Sequence, residues 1–473
     1  MHAMLKTHIA VLTLGITFAG FASAQINLGR GKPQQLFNQY CASCHGTNLN
    51  EGQGGSLVDG PWDYVDGSVE SMQTYIHDGN LDQGMPPFGQ ALSDKEIFSL
   101  ILYIREKRHE YQQGVRPPPT ETDGVYTAGG YTFRLETVAE GFDTPWAIAF
   151  LPDGGQLVTE RSGALRIVRD GKVSEPVSGT PEVWANGQGG LLEVALHPDY
   201  AENGWVYLGF SKVTGKSRGR DAGMTAIERG RIKDGRWVDA ETIFEVTDED
   251  LLIPSGAHFG TRFVFDDGYL FFGIGDRRRD MESQDLSRPN GKIHRIHDDG
   301  RIPADNPFVE DPEAFPSVWA YGVRNPQGLD QHPETGALWE TEHGPRGGDE
   351  INRIERGKNY GWPVITYGMN YDGSPITDQT SKPGMEQPEH FWTPSIAVCG
   401  IDFYEGDVFP QWKNDLFIGG LAARVLQRAR IKDGAVVEVE TIVSDAGRVR
   451  DVASGPDGYL YLVLNGPNKI VRL

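Results

Sequence analysis

Two short stretches carry residues whose types and spacing could do chemistry. The first reads Gly256-Ala257-His258-Phe259-Gly260-Thr261-Arg262 and is followed, one apolar strand later, by Gly273-Ile274-Gly275-Asp276. A strand of that length can set the aspartate beside the histidine, and a carboxylate that orients an imidazole makes a usable general base near neutral pH. Taken alone, a loop histidine and a turn aspartate are more often nothing but that, so the pair needs support from the rest of the chain. The second stretch is Cys41-Ala42-Ser43-Cys44-His45. Cys-x-x-Cys-His is the attachment signature of c-type haem, with two thioethers to the porphyrin vinyl groups and His45 as the proximal iron ligand. The third and last cysteine, Cys399, lies between Val398 and Gly400 in an apolar stretch and reads as a buried free thiol.

Length and composition bound the elements that must hold these residues. A chain of 473 residues has room for two or three domains, and 38% hydrophobic with 23% charged residues describes an ordinary globular protein. The 60 glycines and 29 prolines suit many tight turns between short strands. A formal net charge of −22 argues against nucleic acid or an anionic membrane as a partner, and it makes any cluster of arginines informative. Lys6 and His8, an apolar run over 9–21 and Ala22-Ser23-Ala24 before Gln25 read as a signal peptide over residues 1–24, which implies a periplasmic or secreted protein. That run is too short to span a membrane, and no later segment is apolar enough to do so.

Residues 25–112 read as one small helical domain. Leu36, Phe37 and Tyr40 give a helix leading into the haem motif an apolar face, and Ser93-x-x-Glu96 is a capping box ahead of Ile97, Leu100, Ile101 and Ile104. Gly84-Met85-Pro86-Pro87-Phe88 presents Met85 as the natural sixth iron ligand, with Met72, in a helix-like stretch, as its competitor. The domain resembles a class I cytochrome c. Residues 113–130, with Pro117-Pro118-Pro119, read as a semi-rigid linker that keeps the haem domain near its neighbour without fixing it. From 131 to 473 a polar turn followed by an apolar strand recurs six times, beginning at Asp153, Asn203, Asp267, Thr335, Asn414 and Asp457. Six units of about 57 residues fit an all-β six-bladed propeller with the small all-α cytochrome c domain at its N-terminus. A pair of β-sandwiches is the alternative, and it leaves the six similar units unexplained. Glu160, Asp276, His343 and Asn465 end copies of the repeat and would converge on one mouth of the central channel.

Further motifs occupy loop positions: Asn186-Gly187-Gln188-Gly189-Gly190-Leu191-Leu192, Gly322-Val323-Arg324-Asn325-Pro326-Gln327-Gly328, Glu342-His343-Gly344-Pro345 with Gly348-Asp349-Glu350-Ile351-Asn352, Asn359-Tyr360-Gly361-Trp362 and Arg448-Val449-Arg450-Asp451. Together with residues 256–276 they resemble the soluble quinoprotein glucose dehydrogenase and aldose sugar dehydrogenase family over essentially all of 131–473. That family uses pyrroloquinoline quinone (PQQ), whose three carboxylates and ortho-quinone call for cations and a divalent metal. Arg324, Arg448 and Arg450 can supply bidentate contacts that lysine cannot copy, and the motif context adds Asn325. Oxygen-only donors point to calcium. The resemblance implies that the carbonyls of Gly344 and Pro345 hold a calcium bridging to PQQ. It also implies that Glu350 and Tyr360, the latter through its backbone, bind a second, structural calcium. By the same resemblance His258 is the base, Asp276 orients it, Gln188 lies at the sugar and Arg324 polarises the quinone oxygen.

His197, before a proline at a strand end, reads as structural, and strand alternation puts His294 and His297 on opposite faces, against a metal site. Two departures from the family stand out. The loop Gly420-Leu421-Ala422-Ala423-Arg424 lacks the lysine that contacts PQQ, and Arg424 or one of Arg277, Arg278 and Arg279 is left to compensate. His343 replaces a glutamine and could line the pocket. The expected activity is oxidation of an aldose at C1 to the lactone, with electrons passing from PQQ to the chain's own haem and then to an external cytochrome, quinone or oxidase. The rival readings are a calcium-dependent propeller lactonase or hydrolase and a non-catalytic carbohydrate-binding propeller that carries a cytochrome.

Overall fold

The computed structural model describes residues 31–50, 52–115 and 124–473, so the expected signal peptide and the triple proline lie outside the described residues. The propeller expectation holds: six four-stranded antiparallel sheets follow one another along the chain. Their first strands are Pro145–Phe150, Leu191–Leu196, Phe263–Asp266, Pro326–Gln331, Val398–Phe403 and Arg448–Ser454, which open blades 1 to 6. First strands of neighbouring blades touch around the axis. Blade 6 takes its fourth strand, Glu136–Glu140, from the start of the propeller, with Lys469 opposite Glu140 and Arg472 opposite Glu136. Closing the ring this way locks the two ends of the propeller together, while each blade keeps one outer edge strand.

Local sequence explains the blades. Asp267-Gly268 links two strands with both residues at positive φ (45° and 78°), the backbone a two-residue hairpin turn requires. Asp170-Gly171, Asp234-Gly235 and Asp433-Gly434 repeat it. The strands are apolar enough to be buried on both sides, as in Tyr269–Ile274 and Leu416–Gly420, and one apolar cluster fills each gap between adjacent blades.

The N-terminal domain comprises α1 (Gly31–Tyr40), α2 (Ala42–His45), α3 (Val69–Asp78) and α4 (Asp94–Val115). Ser93 and Glu96 form the expected capping box at α4, with Ser93 N–H donating to Glu96 Oε2 at 2.9 Å and Glu96 N–H to Ser93 Oγ at 3.4 Å. Phe37, Ile97, Phe98 and Ile101 are fully buried in its core, and Met72 belongs to that core as well.

The linker expectation needs correction at both described ends. Residues 113–115 complete α4, and Val125–Ala128 pairs with Tyr131–Arg134 as a hairpin. The hairpin is clamped to blade 5: Trp412 Nε1 donates to Gly129 O at 2.8 Å, and the Tyr131 ring meets those of Phe409 and Trp412 edge-on. The helical domain is not loosely held either, since α4 packs against a loop of blade 4 through a buried ion pair, Glu106 to Arg346 at 2.7 Å.

Candidate active site at the propeller mouth

His258 and Asp276 meet as their spacing predicts. His258 Nδ1 lies 2.6 Å from Asp276 Oδ1, and both side chains are buried. Backbone strain places them: His258 has φ 54°, and Arg277 and Arg278, just past Asp276, have φ 58° and 62°. A Cβ on Gly275 would come within 2.5 Å of His258 O, so the two loops approach backbone to backbone and only glycine fits. Gln188 holds the strained histidine from the open side, its Oε1 accepting from His258 N–H at 2.7 Å.

Asp276 has a full set of donors. Its Oδ1 also accepts from Arg278 N–H at 2.8 Å, and Oδ2 accepts from Trp362 Nε1 at 2.9 Å. Burial works to raise this carboxyl, but the bond to His258, the imidazole, the Arg324 charge and the Arg278 amide outweigh it and hold Asp276 below the ordinary range. Burial, then the Arg324 charge, pushes the His258 pKa below its usual value despite Asp276, so at neutral pH the imidazole is neutral. With Nδ1–H given to the carboxylate, Nε2 is the nitrogen left to accept a proton.

Arg324 borders the pair. Its Nη1 donates to His343 O at 2.7 Å and Gly344 O at 3.0 Å, its guanidinium lies 5.2 Å from the Trp362 ring, and its Nε is buried without a partner. His343, pushed down to about 3 by burial and the charges of Arg324 and Arg450, also has an unpartnered buried nitrogen, Nε2. Asn325 is buried and bonded to Gln327 Nε2 at 3.2 Å. Arg450 stacks 3.8 Å over Trp146 and donates to Asn465 Oδ1 and Cys399 Sγ, whereas Arg448 is exposed at the start of its strand. Among the described residues neither Arg324 nor Arg450 forms an ion pair with a carboxylate, although the chain carries a net charge of −22. Buried guanidinium groups with carbonyl, amide and thiol partners, beside two orphaned nitrogens, fit an anionic ligand such as PQQ.

Of the four arginines offered as compensators for the absent lysine, the two that are not simply left exposed beside Asp276 go elsewhere. Arg277 is fully buried and gives its guanidinium to Ala257 O at 3.0 Å and to Ser255 O, 3.4 Å over the Phe259 ring, so it clasps the loop bearing His258. Arg424 turns to Asp445 on the surface. Arg278 and Arg279 are exposed, and only the Arg278 charge reaches His258.

Beneath Arg324 lies a cavity of about 10 Å³, lined among others by Glu342, Gly344, Glu350 and Tyr360, with room for one water-sized atom. Glu342 faces Glu350 across the sheet, and Glu340 faces Asn352 one step further along. Burial and then the charge of Glu342 push Glu340 and Glu350 well above the carboxylate range, and burial lifts Glu342 to about 7. Glu340 Oε1 and Asn352 Oδ1 are buried without a partner. Buried acids clustered beside orphaned oxygens fit a hard divalent ion. No three acidic, histidine or cysteine side chains among the described residues converge tightly enough to hold one alone, so amide and carbonyl oxygens would complete the shell. The Tyr360 hydroxyl is spent on Arg353 O at 2.6 Å, leaving its backbone as the donor, and the Gly344 carbonyl already accepts from Arg324.

Sequence reasoning missed a buried charge network at the propeller axis. Arg262 bridges Glu193 at 3.0 Å and Asp451 at 2.9 Å and donates to Gln327 O and Arg450 O, tying four blades across the axis. It also missed Trp362, Glu340 and Glu342, although Trp362 and Glu342 lie within the 359–362 and 342–345 motifs. His197 is structural as expected, bonded to Asp298 at 3.0 Å, and His294 is buried between Ser317 and Pro289 O. Glu160 is committed to Arg166 at 2.9 Å and to Asp143 N–H, which makes it a blade contact and not a pocket residue.

In the helical domain His45 Nδ1 donates to Gly55 O at 3.0 Å, which fixes the tautomer and leaves Nε2 for iron. A Cβ on Gly54 would come within 2.9 Å of His45 Cε1, so the loop lies flat on the imidazole. Cys41 and Cys44 are free, Met85 is half-buried in the loop and Met72 is core, which favours Met85 as the second axial ligand.

Comparison with known proteins agrees with this layout. Residues 142–472 match the Glucose / Sorbosone dehydrogenase family, and residues 31–104 match the family of cbb3-type cytochrome c oxidase subunit III. The aldose sugar dehydrogenase YliI of Escherichia coli is 45% identical over 340 residues, covering 70% of this chain and 90% of that protein. The apo crystal structure of the soluble E. coli aldose sugar dehydrogenase superposes with a TM-score of 0.68 at 43% identity, covering 72% of this chain and 98% of the other. The PQQ-bound form of aldose sugar dehydrogenase from Streptomyces coelicolor gives 0.58 at 29% identity, covering 71% and 95%.

Proposed function

This chain belongs to the glucose/sorbosone dehydrogenase family of oxidoreductases and carries a cytochrome c domain at its N-terminus, and we propose that it is an exported quinohaemoprotein that oxidises an aldose at C1 to the lactone and passes the electrons to its own haem. The observation that carries this reading is the His258–Asp276 pair at 2.6 Å beside Arg324. PQQ, when bound, supplies the two-electron acceptor for the hydride from C1. Nε2 of His258 takes the proton of the anomeric hydroxyl, and Asp276 holds the ring in the needed tautomer and stabilises its protonated form. The Arg324 guanidinium, carrying a donor without a partner, stabilises negative charge at the acceptor oxygen. Arg448, Arg450, Asn325 and Gln188 complete the binding face. Glu350, with Glu342 and the Tyr360 backbone, would hold calcium, and the Gly344 and Pro345 carbonyls are the candidates for a calcium next to the cofactor.

The test is a PQQ titration of the calcium-loaded protein followed by absorption, then a panel of aldoses with a small redox dye and detection of the lactone. Saturable PQQ uptake with lactone formation supports the reading. Uptake of PQQ without oxidation of any aldose, or lactone hydrolysis in place of lactone formation, contradicts it.

A further inference from the structure

The helical domain sits on blade 4 beside the pocket, and the contact between them is built. We propose that the blade 4 loops over 344–349 and 367–375 form the docking face for α4, and that the Arg346–Met369 rung within them is the electron bridge from the pocket to the haem. The electron-transfer part rests on the sugar-oxidation reading above.

On the pocket side, Gly344, Gly348 and Thr366 line the cavity under Arg324. A Cβ on Gly344 would come within 2.2 Å of Gly347 O, one on Gly368 within 2.4 Å of the same oxygen, and one on Gly348 within 2.6 Å of Gly368 N. No side chain separates these backbones, so pocket edge and domain contact are in direct van der Waals touch. Arg346 N–H donates to Met369 O and Met369 N–H to Arg346 O, both at 3.1 Å, closing the rung.

On the haem side, Arg346 Nη2 donates to Glu106 Oε2 at 2.7 Å, with side-chain exposures of only 6% and 16%. Ser99 Oγ donates to Gly373 O at 3.3 Å, and Arg105 lies 5.7 Å from the Phe391 ring, which stacks on Tyr367 at 3.8 Å. Met369 has no exposed surface and belongs, with Tyr367, to the apolar cluster of the helical domain that also contains Cys41 and Met85. Packed matter is therefore continuous from Gly344 to the residues that anchor haem. Electron transfer through protein falls steeply with distance and across voids, so continuity of this kind matters. A domain held only by its linker would gain effective concentration, but it would not need a desolvated ion pair whose separation strands a buried charge.

The electrons balance as follows. Aldose oxidation to the lactone releases two electrons and two protons; one electron crosses to ferric haem, giving ferrous haem, the other follows once an external one-electron acceptor has reoxidised it, and both protons leave to solvent, the first by way of His258.

The full chain with covalent haem is tested as Glu106→Arg, with Met369→Ala as a second variant from the other side of the contact. Hydrogen exchange of 344–349 and 367–375, measured without PQQ, should rise at least 10-fold in each variant. With PQQ and calcium loaded, single-turnover haem reduction by an aldose should slow at least 10-fold, while oxidation of the aldose by a small dye changes less than 2-fold. Unchanged exchange in both variants overturns the docking face. Raised exchange with haem reduction at the wild-type rate overturns the bridge. Loss of dye-linked oxidation in the wild type is a different failure, that of the sugar-oxidation reading.

Discussion

His258 and His45 invite comparison because each has one ring nitrogen tied to an oxygen and the other left to work. His258 gives Nδ1–H to a buried carboxylate at 2.6 Å, and His45 gives it to the backbone carbonyl of Gly55 at 3.0 Å. A carboxylate bears a full negative charge that stabilises the imidazolium, so its histidine can take up a proton and release it. A carbonyl is neutral: it fixes ring and tautomer but does little for a second proton, which suits a metal ligand. The surroundings differ in the same sense. Strained backbone, Gln188 and Trp362 hold the His258–Asp276 pair from several blades, whereas a short helix and one glycine-rich loop suffice for His45.

The largest effect should come from removing the base. His258→Asn is expected to lower kcat by about 100- to 10,000-fold, with PQQ uptake and the haem spectrum unchanged. His45→Ala should do the reverse, abolishing haem reduction while dye-linked aldose oxidation persists. Steady-state assays with a dye and with the haem as acceptor read both.

Asp276→Asn makes the first histidine resemble the second, since a neutral amide oxygen replaces the carboxylate. About a 100-fold loss of kcat is expected on the scale of general-base catalysis. The acid limb of the rate profile should move to lower pH, because the group that raises the His258 pKa is gone. An unmoved limb would mean that Asp276 only packs.

The wild-type profile sharpens the contrast further. Burial and Arg324 hold the His258 pKa below the usual 6.5, and a histidine acting as general base would need the neutral ring. kcat/KM should therefore stay level down through pH 6.5 and fall only below it, as protonation removes the base. Arg324→Gln, which removes a nearby positive charge, should move that fall to higher pH.

Trp362→Phe should have the smallest effect. It strips one donor from Asp276 Oδ2 and leaves a buried acceptor unmatched, a loss of about 1–3 kcal/mol. Denaturant titration should show it as a lower midpoint with the slope unchanged, and kcat should fall less than about 10-fold on the same scale of energy.

Much of this was legible in the sequence because local rules carry it. The Asp-Gly turns and the period-two strands are short-range signals, and one hairpin, Phe263–Asp266 paired with Tyr269–Ile274, brings Asp276 back to His258. What was not legible depends on side chains crossing between blades. Arg262 is one arginine among many until four blades converge on it, and Arg277 is a candidate cofactor contact until its positive φ turns it under the 255–259 loop. Nothing local in the sequence marks Glu340 and Glu342 as buried acids, and only their pairing with Asn352 and Glu350 reveals them. The hairpin over 125–134 was a different miss. Its first strand, Val-Tyr-Thr-Ala, and the Gly129-Gly130 turn fall inside the 113–130 linker expectation, which rests on the triple proline and the Gly-rich sequence after it, and its second strand, Tyr-Thr-Phe-Arg, opens the propeller segment.

The central claim is that protons leave through His258 while electrons leave through the haem. Mixing the PQQ- and calcium-loaded chain with an aldose in a single anaerobic turnover, followed at a haem absorption band, tests it most directly. Reduction of the haem at a first-order rate independent of protein concentration is the predicted result. A haem that stays oxidised while a dye in the same solution is reduced, or a rate that rises with protein concentration, would contradict the account.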